Sequence, residues 1–469
     1  MDLCRNILGL QEGELRGPHM ELGKHLGKAI WGAADKALPV VYGVAYVLLV
    51  IRVLPEVEFG NFVLVQEIFL IISGLAAAFA LQPMLKYASE KSGNDPGTVG
   101  AALYLNGAFI IVSSLTLVIV REPVASVLRS PTLGPLLLYI PVMLAASFAR
   151  NFTLVLLQSH FRFQGVFWTD AVHFLGSPLL TWIASRMHLF DSARDLIIIN
   201  IISLSVSSLV GLLVSGAALR LTFFPARATL QQMFEYGRYS LGGITSYLVF
   251  SKADTFILAA FAGTGAVAVY NSAKVFTRIF ETMSQVVQMF VLPATSRLSA
   301  ARDYGRLQAV VEKATCFATL ALLPVLLGFI VFASPLVSLL YSGKYIDAVP
   351  LLQIFAGLAL FVPIIGVATS TLMGLGEAKV SFLLSIQILV ASIVIYLVLV
   401  PWFGAVGASI GYVAASAVLA WISTRALHRF IPITLHGVME HVRDVRVFTR
   451  NRILTASSFF KKGAAGKDH

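Results

Sequence analysis

The chain has 469 residues, 57% of them hydrophobic and 13% charged, with a formal net charge of +11. Globular domains carry about 25% charged residues, so a soluble domain, a disordered chain, a coiled coil and a disulfide scaffold are all excluded. A nucleic-acid binder is excluded too, because the basic residues are scattered between apolar runs rather than gathered on a polar face. What remains is an all-α polytopic membrane protein, in which about 20 apolar residues cross the bilayer each time.

Residues 1–29 mix Glu12, Glu14 and Glu21 with four basic residues and have no apolar core. They read as a cytoplasmic N-terminal tail, not a secretory signal peptide. Twelve apolar segments follow, near 30–54, 61–84, 98–120, 134–158, 165–186, 196–219, 236–262, 266–292, 314–341, 348–373, 380–400 and 405–425. Segment 1 carries Asp35 and Lys36 near its entry, where a lysine can snorkel to the headgroups or face an internal cleft. Segment 2 carries Glu67, a candidate for exchanging a proton or binding sodium, or a counter-ion for Lys274 or Arg278. Arg150 of segment 4 reads as the structural partner of Asp170 in segment 5, and His173 as a hydrogen-bonded interior residue. In segment 7, Lys252 and Asp254 stand two apart and point to different faces, so one can pair with segment 8 while the other faces a cleft.

Segment 8 has the sharpest pattern. Asn271, Lys274, Arg278, Glu281, Gln285 and Gln288 recur at steps of 3, 4, 3, 4 and 3, which places them on one helix face. Facing lipid, such a stripe would cost several kcal/mol. It is either a wet wall, with Lys274 and Arg278 attracting a diphosphate and Glu281 holding Arg278 in the empty site, or a buried network packing the helix. Cys316 begins segment 9, and with Cys4 in the tail it forms neither a disulfide nor a metal spacing. The basic tail 429–469 alternates Arg443, Arg446, Arg450 and Arg452 with apolar residues; it lies along the inner leaflet or stays solvated.

Of the 35 Lys and Arg residues, 24 fall on the side of the two tails, 6 on the other, and 5 inside segments. The bias places both termini in the cytoplasm. Residues 134–142 resemble 349–357, with Pro135 matching Pro350, and 59–62 match 267–270. The offsets of 215 and 208 predict two parallel six-helix units with a substrate site between them. The organisation is then an N-terminal lobe over 30–220, a cytoplasmic linker over 221–235 and a C-terminal lobe over 236–428.

Several junctions carry a family resemblance. They are Leu54-Pro55-Glu56-Val57-Glu58-Phe59-Gly60-Asn61-Phe62; Asp254 followed by Gly263 and Ala268-Val269-Tyr270; and Leu340-Tyr341-Ser342-Gly343-Lys344-Tyr345-Ile346-Asp347-Ala348-Val349-Pro350. Gly374-Leu375-Gly376-Glu377-Ala378-Lys379 and Phe403-Gly404-Ala405-Val406-Gly407-Ala408 complete the set. In order and spacing they resemble the polysaccharide and O-antigen flippases of the multidrug/oligosaccharidyl-lipid/polysaccharide exporter superfamily. The chain departs from that family's pattern at Ala259 and Ala268, often Gly there, and at Thr255, often basic.

The resemblance implies two six-helix lobes meeting in a V, with helices 1, 2, 7 and 8 lining the cleft. It implies alternating access for a lipid-diphosphate-linked oligosaccharide in the bacterial inner membrane, for O-antigen or exopolysaccharide export. Polysaccharide polymerase and export machinery are the implied protein partners, with membrane lipids around the helices. Lys274, Arg278, Glu281, Asn271, Gln285, Lys252, Asp254 and Lys36 are the candidate substrate contacts. Glu67 and Asp254 are the candidates for a coupling ion, proton or sodium; no cofactor, metal or nucleic acid is called for. Two other readings compete. A drug or small-cation exporter of the same superfamily would favour a cleft dominated by acids and aromatics, whereas bases here equal acids. A membrane-embedded polymerase or ligase would carry a large external loop, and the loops here are short.

Overall fold

The structure is a computed structural model describing residues 31–442 apart from 32, 33, 36, 40, 44–48, 91–94, 188, 190, 217–221, 223 and 434. Lys36 and the arginines of the tail beyond 442 lie outside the described residues. Among the described residues there are helices and turns and no strand.

The first helix, α1, is seen as helical residues between 31 and 53. Next, α2 runs over Glu56–Ala76 and continues through a π turn, Ala77–Leu81, into Gln82–Glu90. Then come α3 (Pro96–Val127), α4 (Leu133–Leu137, then Tyr139–Ser159), α5 (Phe163–Arg186) and α6 (Ala193–Ser215). One helical run, Arg227–Lys274, contains α7 and the start of α8, turning at Gly263 with φ 79° and ψ 179°. That φ is open to glycine and strained for other residues, so one residue does the work of a loop. Beyond Lys274, α8 tightens into a 3₁₀ turn, Val275–Thr277, and continues as Arg278–Ala300. After it come α9 (Tyr304–Tyr341) and α10 (Ala348–Ala356 and Leu358–Gly374, bent by 43°). The run Ala378–Leu427 contains α11 and α12, broken at Gly404 with φ 52°. A short α13 covers Leu435–Glu440.

Polar residues at helix starts fix these boundaries. Asp95 accepts hydrogen bonds from the Gly97 amide and the Thr98 hydroxyl at the head of α3, with Pro96 at the first helical position. Ser192 and Asp195 form a capping box on α6, and Asp303 caps α9 through the Arg306 amide.

Seven helical runs among the described residues are long and apolar enough to cross a membrane, or eight counting the bent pair in α10. Two of them, Leu248–Ala300 and Lys379–Leu427, are the runs that double back at Gly263 and Gly404. The Pro135/Pro350 match marks a shared feature. Each proline sits in a short helix that breaks before the main span, at Leu138 in α4 and at Gly357 in α10. Each short helix follows a turn containing a residue in the left-handed region, Arg129 (φ 51°) and Ser342 (φ 54°).

At one end of the bundle, the far end, the two halves of the chain are closed on one another. Gly60 of α2 lies so near the Thr264 carbonyl that a Cβ would strike it. The Phe59 and Tyr345 rings meet edge to face at 6.3 Å. The Arg52 guanidinium donates to the Leu340 carbonyl at 3.0 Å and the Leu339 carbonyl at 3.2 Å, and Lys344 Nζ donates to the Arg52 carbonyl at 3.0 Å. Arg129 donates to the Phe261 carbonyl at 3.0 Å. The acceptors of Arg52 and Arg129 lie in the last turns of α9 and α7, where free carbonyls and the helix dipole favour a cation.

Toward the opposite, near end the chain opens. There α7 packs on α2 and α3: Gly237 sits against the Phe79 carbonyl in the π turn, Ser240 donates to Gln82, and Tyr236 meets Tyr87. The near half of α8 packs instead on α9 and α10, with Ser284 donating to the Val362 carbonyl and Gly374 seated on Thr295. So α7 and α8 are joined at the far end and diverge toward the near end.

Candidate functional site

Three ion pairs within the bundle, and one stretch of α8 with no ion pair among the described residues, carry charges that the sequence singled out. The deepest pair joins α7 to α8. Asp254, with a fully buried side chain, receives Lys274 Nζ at 2.5 Å and the Tyr270 hydroxyl at 2.5 Å on Oδ2. Its Oδ1 accepts from the Thr255 amide at 2.7 Å and the Thr255 hydroxyl at 3.3 Å. The ammonium of Lys274 also lies 5.4 Å from the Tyr270 ring and 5.3 Å from the Tyr412 ring of α12. This carboxylate is saturated with donors, as a buried charge must be. At Thr255, where the family often has a cation, the amide and hydroxyl complete its shell.

The second pair crosses between the halves: Lys252 Nζ of α7 lies 2.6 Å from Glu67 Oε2 of α2. Both residues of the Lys252/Asp254 step are therefore engaged: the pairing with α8 is made by Asp254, and Lys252, rather than facing the cleft unpaired, pairs with Glu67 of α2. Glu67 is the counter-ion of Lys252 and of neither Lys274 nor Arg278. The third pair is the expected one, Arg150 Nη2 to Asp170 Oδ1 at 2.6 Å, with Arg150 also donating to Asn151 and lying 5.4 Å from the Phe174 ring. His173 is buried, 3.2 Å from the Ser203 hydroxyl. Replacing Arg150 with alanine would take its guanidinium away from a largely buried Asp170, at a cost of about 3 kcal/mol. Thermal unfolding of the purified protein should show a marked loss for Arg150→Ala and substantial recovery in Arg150→Ala/Asp170→Ala. Equal losses would mean that the pair is not what matters there.

The unpaired stretch is the near half of the α8 stripe. Arg278, Glu281 and Gln285 are exposed although they sit within a span. Arg278 has no carboxylate partner among the described residues. Its guanidinium donates to the Pro39 carbonyl of α1 at 3.1 Å and lies over Gly43, where a Cβ would collide with it. Glu281 does not hold Arg278; it faces Tyr412, whose hydroxyl lies 3.5 Å away. Asn271 donates back to the Val267 carbonyl of its own helix, and Gln288 to Ser284. The 3₁₀ turn at Val275–Thr277 explains the division. It breaks the α-helical phase between Lys274 and Arg278, so Lys274 meets α7 while Arg278 reaches α1.

Two features had no signal in the sequence. Tyr412 is one aromatic among the apolar residues of its segment. The acceptors of Arg52 and Arg129 are backbone carbonyls, which every residue carries.

Residues 49–350 match the family described as polysaccharide biosynthesis protein. A probable low-salt glycan biosynthesis flippase of Haloferax volcanii, Agl15, is 22% identical over 209 residues, 45% of this chain and 44% of the relative. The chain spans less than half the length of the curated relatives it matches. Among solved structures, the lipid II flippase MurJ in an inward closed conformation superposes with a TM-score of 0.71 at 11% identity, covering 92% of this chain and 93% of that one. An inward-facing multidrug resistance transporter of the MATE family gives 0.69 at 18% identity over 85% and 98% of the two chains, and an outward-facing one gives 0.58 over 86% and 94%, also at 18%. These likenesses establish the fold as that of polytopic membrane proteins.

Proposed function

The chain belongs to the polysaccharide biosynthesis protein family, and from that membership we propose that it is a flippase carrying a lipid-diphosphate-linked oligosaccharide across the cytoplasmic membrane by alternating access. The observation that carries this reading is Arg278. Arg150, Lys252 and Lys274 are each paired with a carboxylate, whereas Arg278 stands exposed in the opening between α7 and α8 with no carboxylate partner among the described residues. An arginine can grip a phosphate bidentately, and in a site of lowered dielectric the contact strengthens. Glu281, Gln285 and Gln288 lie nearer the open end and offer acceptors and donors for sugar hydroxyls. Lys274 supports the site from behind, its charge shared with Asp254. Glu67 and Asp254, both ion-paired in this state, are the carboxylates through which a coupling ion could act. The charge bias supports taking the near end as the cytoplasmic one, and on that reading the cleft opens toward the cytoplasm.

Deleting the gene tests the reading. Lipid-linked oligosaccharide should accumulate on the cytoplasmic leaflet and surface glycan should fall; unchanged surface glycan, in a host with no second flippase, would contradict it.

Alternating access requires the far end to part. Arg52 and Arg129 tie the first half of the chain to helix ends of the second, each contact contributing about 0.3–1 kcal/mol. The Arg52→Ala/Arg129→Ala variant should raise the ratio of far-end-open to far-end-closed protein about tenfold. Spin labels on cysteines placed at the exposed positions Pro131 and Ile346, with Cys4 and Cys316 replaced, should then show a growing longer-distance population. An unchanged distance distribution would show that these contacts do not set the equilibrium.

A further inference from the structure

The near end of α12 carries a cluster that neither the fold nor the cleft explains. Trp421, Thr424, Arg425, His428 and Arg429 line a cavity of about 380 Å³ on the outside of the bundle. The Arg425 guanidinium lies 5.4 Å from the Trp421 ring, which is 61% exposed. Arg425, His428 and Arg429 are exposed and have no carboxylate partner among the described residues. Some exposed arginines elsewhere are engaged, Arg52 and Arg129 with carbonyls and Arg306 with Asp303. No acidic side chain lines this cavity.

We propose that this cluster binds the phosphate of an anionic phospholipid headgroup, at a site separate from the cleft. Position supports a lipid. Lys379–Leu427 is one of the membrane-crossing runs, so Arg425 and His428 lie at its end, at headgroup depth, where tryptophan also prefers to sit. Charge supports an anionic one: Arg425, His428 and Arg429 line one cavity together with Thr424, and the Arg425 guanidinium lies within cation–π distance of the Trp421 ring. The spacing Trp421, Arg425, Arg429 stacks the three on one helix face, the ring toward the acyl region and the arginines toward water. The site differs from Arg278 in facing the surrounding membrane, and it does not depend on the transport reading.

The full-length protein with Trp31, Trp168, Trp182 and Trp402 changed to Phe leaves Trp421 as the only fluorescent tryptophan. It should be reconstituted with acyl-brominated phosphatidylglycerol or, at equal mole fraction, acyl-brominated phosphatidylcholine. A headgroup site predicts stronger quenching by the anionic lipid, and each basic residue near an anionic surface favours it about fivefold. Arg425→Gln/Arg429→Gln should remove the preference. Inorganic phosphate, added as competitor, should leave it intact, since free phosphate lacks the membrane's local concentration. Equal quenching by both lipids, a preference surviving the double substitution, or full displacement by inorganic phosphate would each overturn the proposal. Native mass spectrometry of the unmodified chain, with and without Arg425→Gln/Arg429→Gln, checks it independently of the tryptophan changes: the variant should retain one phosphatidylglycerol fewer, and equal retention counts against the site.

Discussion

Replacing Arg278 with alanine is expected to reduce surface glycan to background while leaving a normal amount of protein in the membrane. The side chain is exposed and its one direct partner is a backbone carbonyl, that of Pro39. Removing it therefore orphans no buried charge, and its stability effect should resemble that of a surface substitution, within about 0.5 kcal/mol. The functional effect should be large. A charge-assisted hydrogen bond to an anion contributes about 1.5–3 kcal/mol, and about 2 kcal/mol slows a step roughly 30-fold. Arg278→Lys keeps the charge and loses the planar fork, so it should restore only part of the activity. Glycan staining beside a membrane blot separates the outcomes. Loss of the protein itself would reassign Arg278 to packing.

Lys274→Ala should behave in the opposite way. Its partner Asp254 is completely buried between α7 and α8, and removing the cation leaves a carboxylate in the interior of the bundle. Such a loss costs about 3–5 kcal/mol, a large share of the stability of a typical fold. Little folded protein should be recovered. Adding Asp254→Asn removes the orphaned charge while keeping a group that Tyr270 and Thr255 can still meet, so Lys274→Ala/Asp254→Asn should regain most of the yield. Fluorescence-detected gel filtration of tagged variants reads this directly. A Lys274→Ala variant that is well folded without the second change would show that the pair is not structural, and would return Lys274 to the substrate side.

The two expectations separate residues that one sequence pattern had placed together. The six-residue stripe on segment 8 was legible because its polar groups recur with helical period inside an apolar run. Its division was not, because it depends on the 3₁₀ turn at Val275–Thr277, a stretch of three unremarkable residues, and on where α7 stands. The helices themselves were readable from apolar length, and the repeat from Pro135 and Pro350, which mark corresponding broken helices. Arg150 and Asp170 were matched in advance because neighbouring segments each held one charge. Glu67 was not matched with Lys252, since choosing among three cations requires the packing of α2 against α7. Sequence periodicity reports which face a side chain is on, and only tertiary structure reports what that face meets.

The central claim is that the diphosphate of the carrier lipid is held at Arg278 during transport. The most direct measurement is the initial rate of flipping of a lipid-diphosphate-linked oligosaccharide in proteoliposomes, for wild-type protein, Arg278→Lys and Arg278→Ala at equal incorporation. The account predicts that rate falling in that order, with Arg278→Ala slower by roughly 30-fold. Equal rates in the three proteins would contradict it.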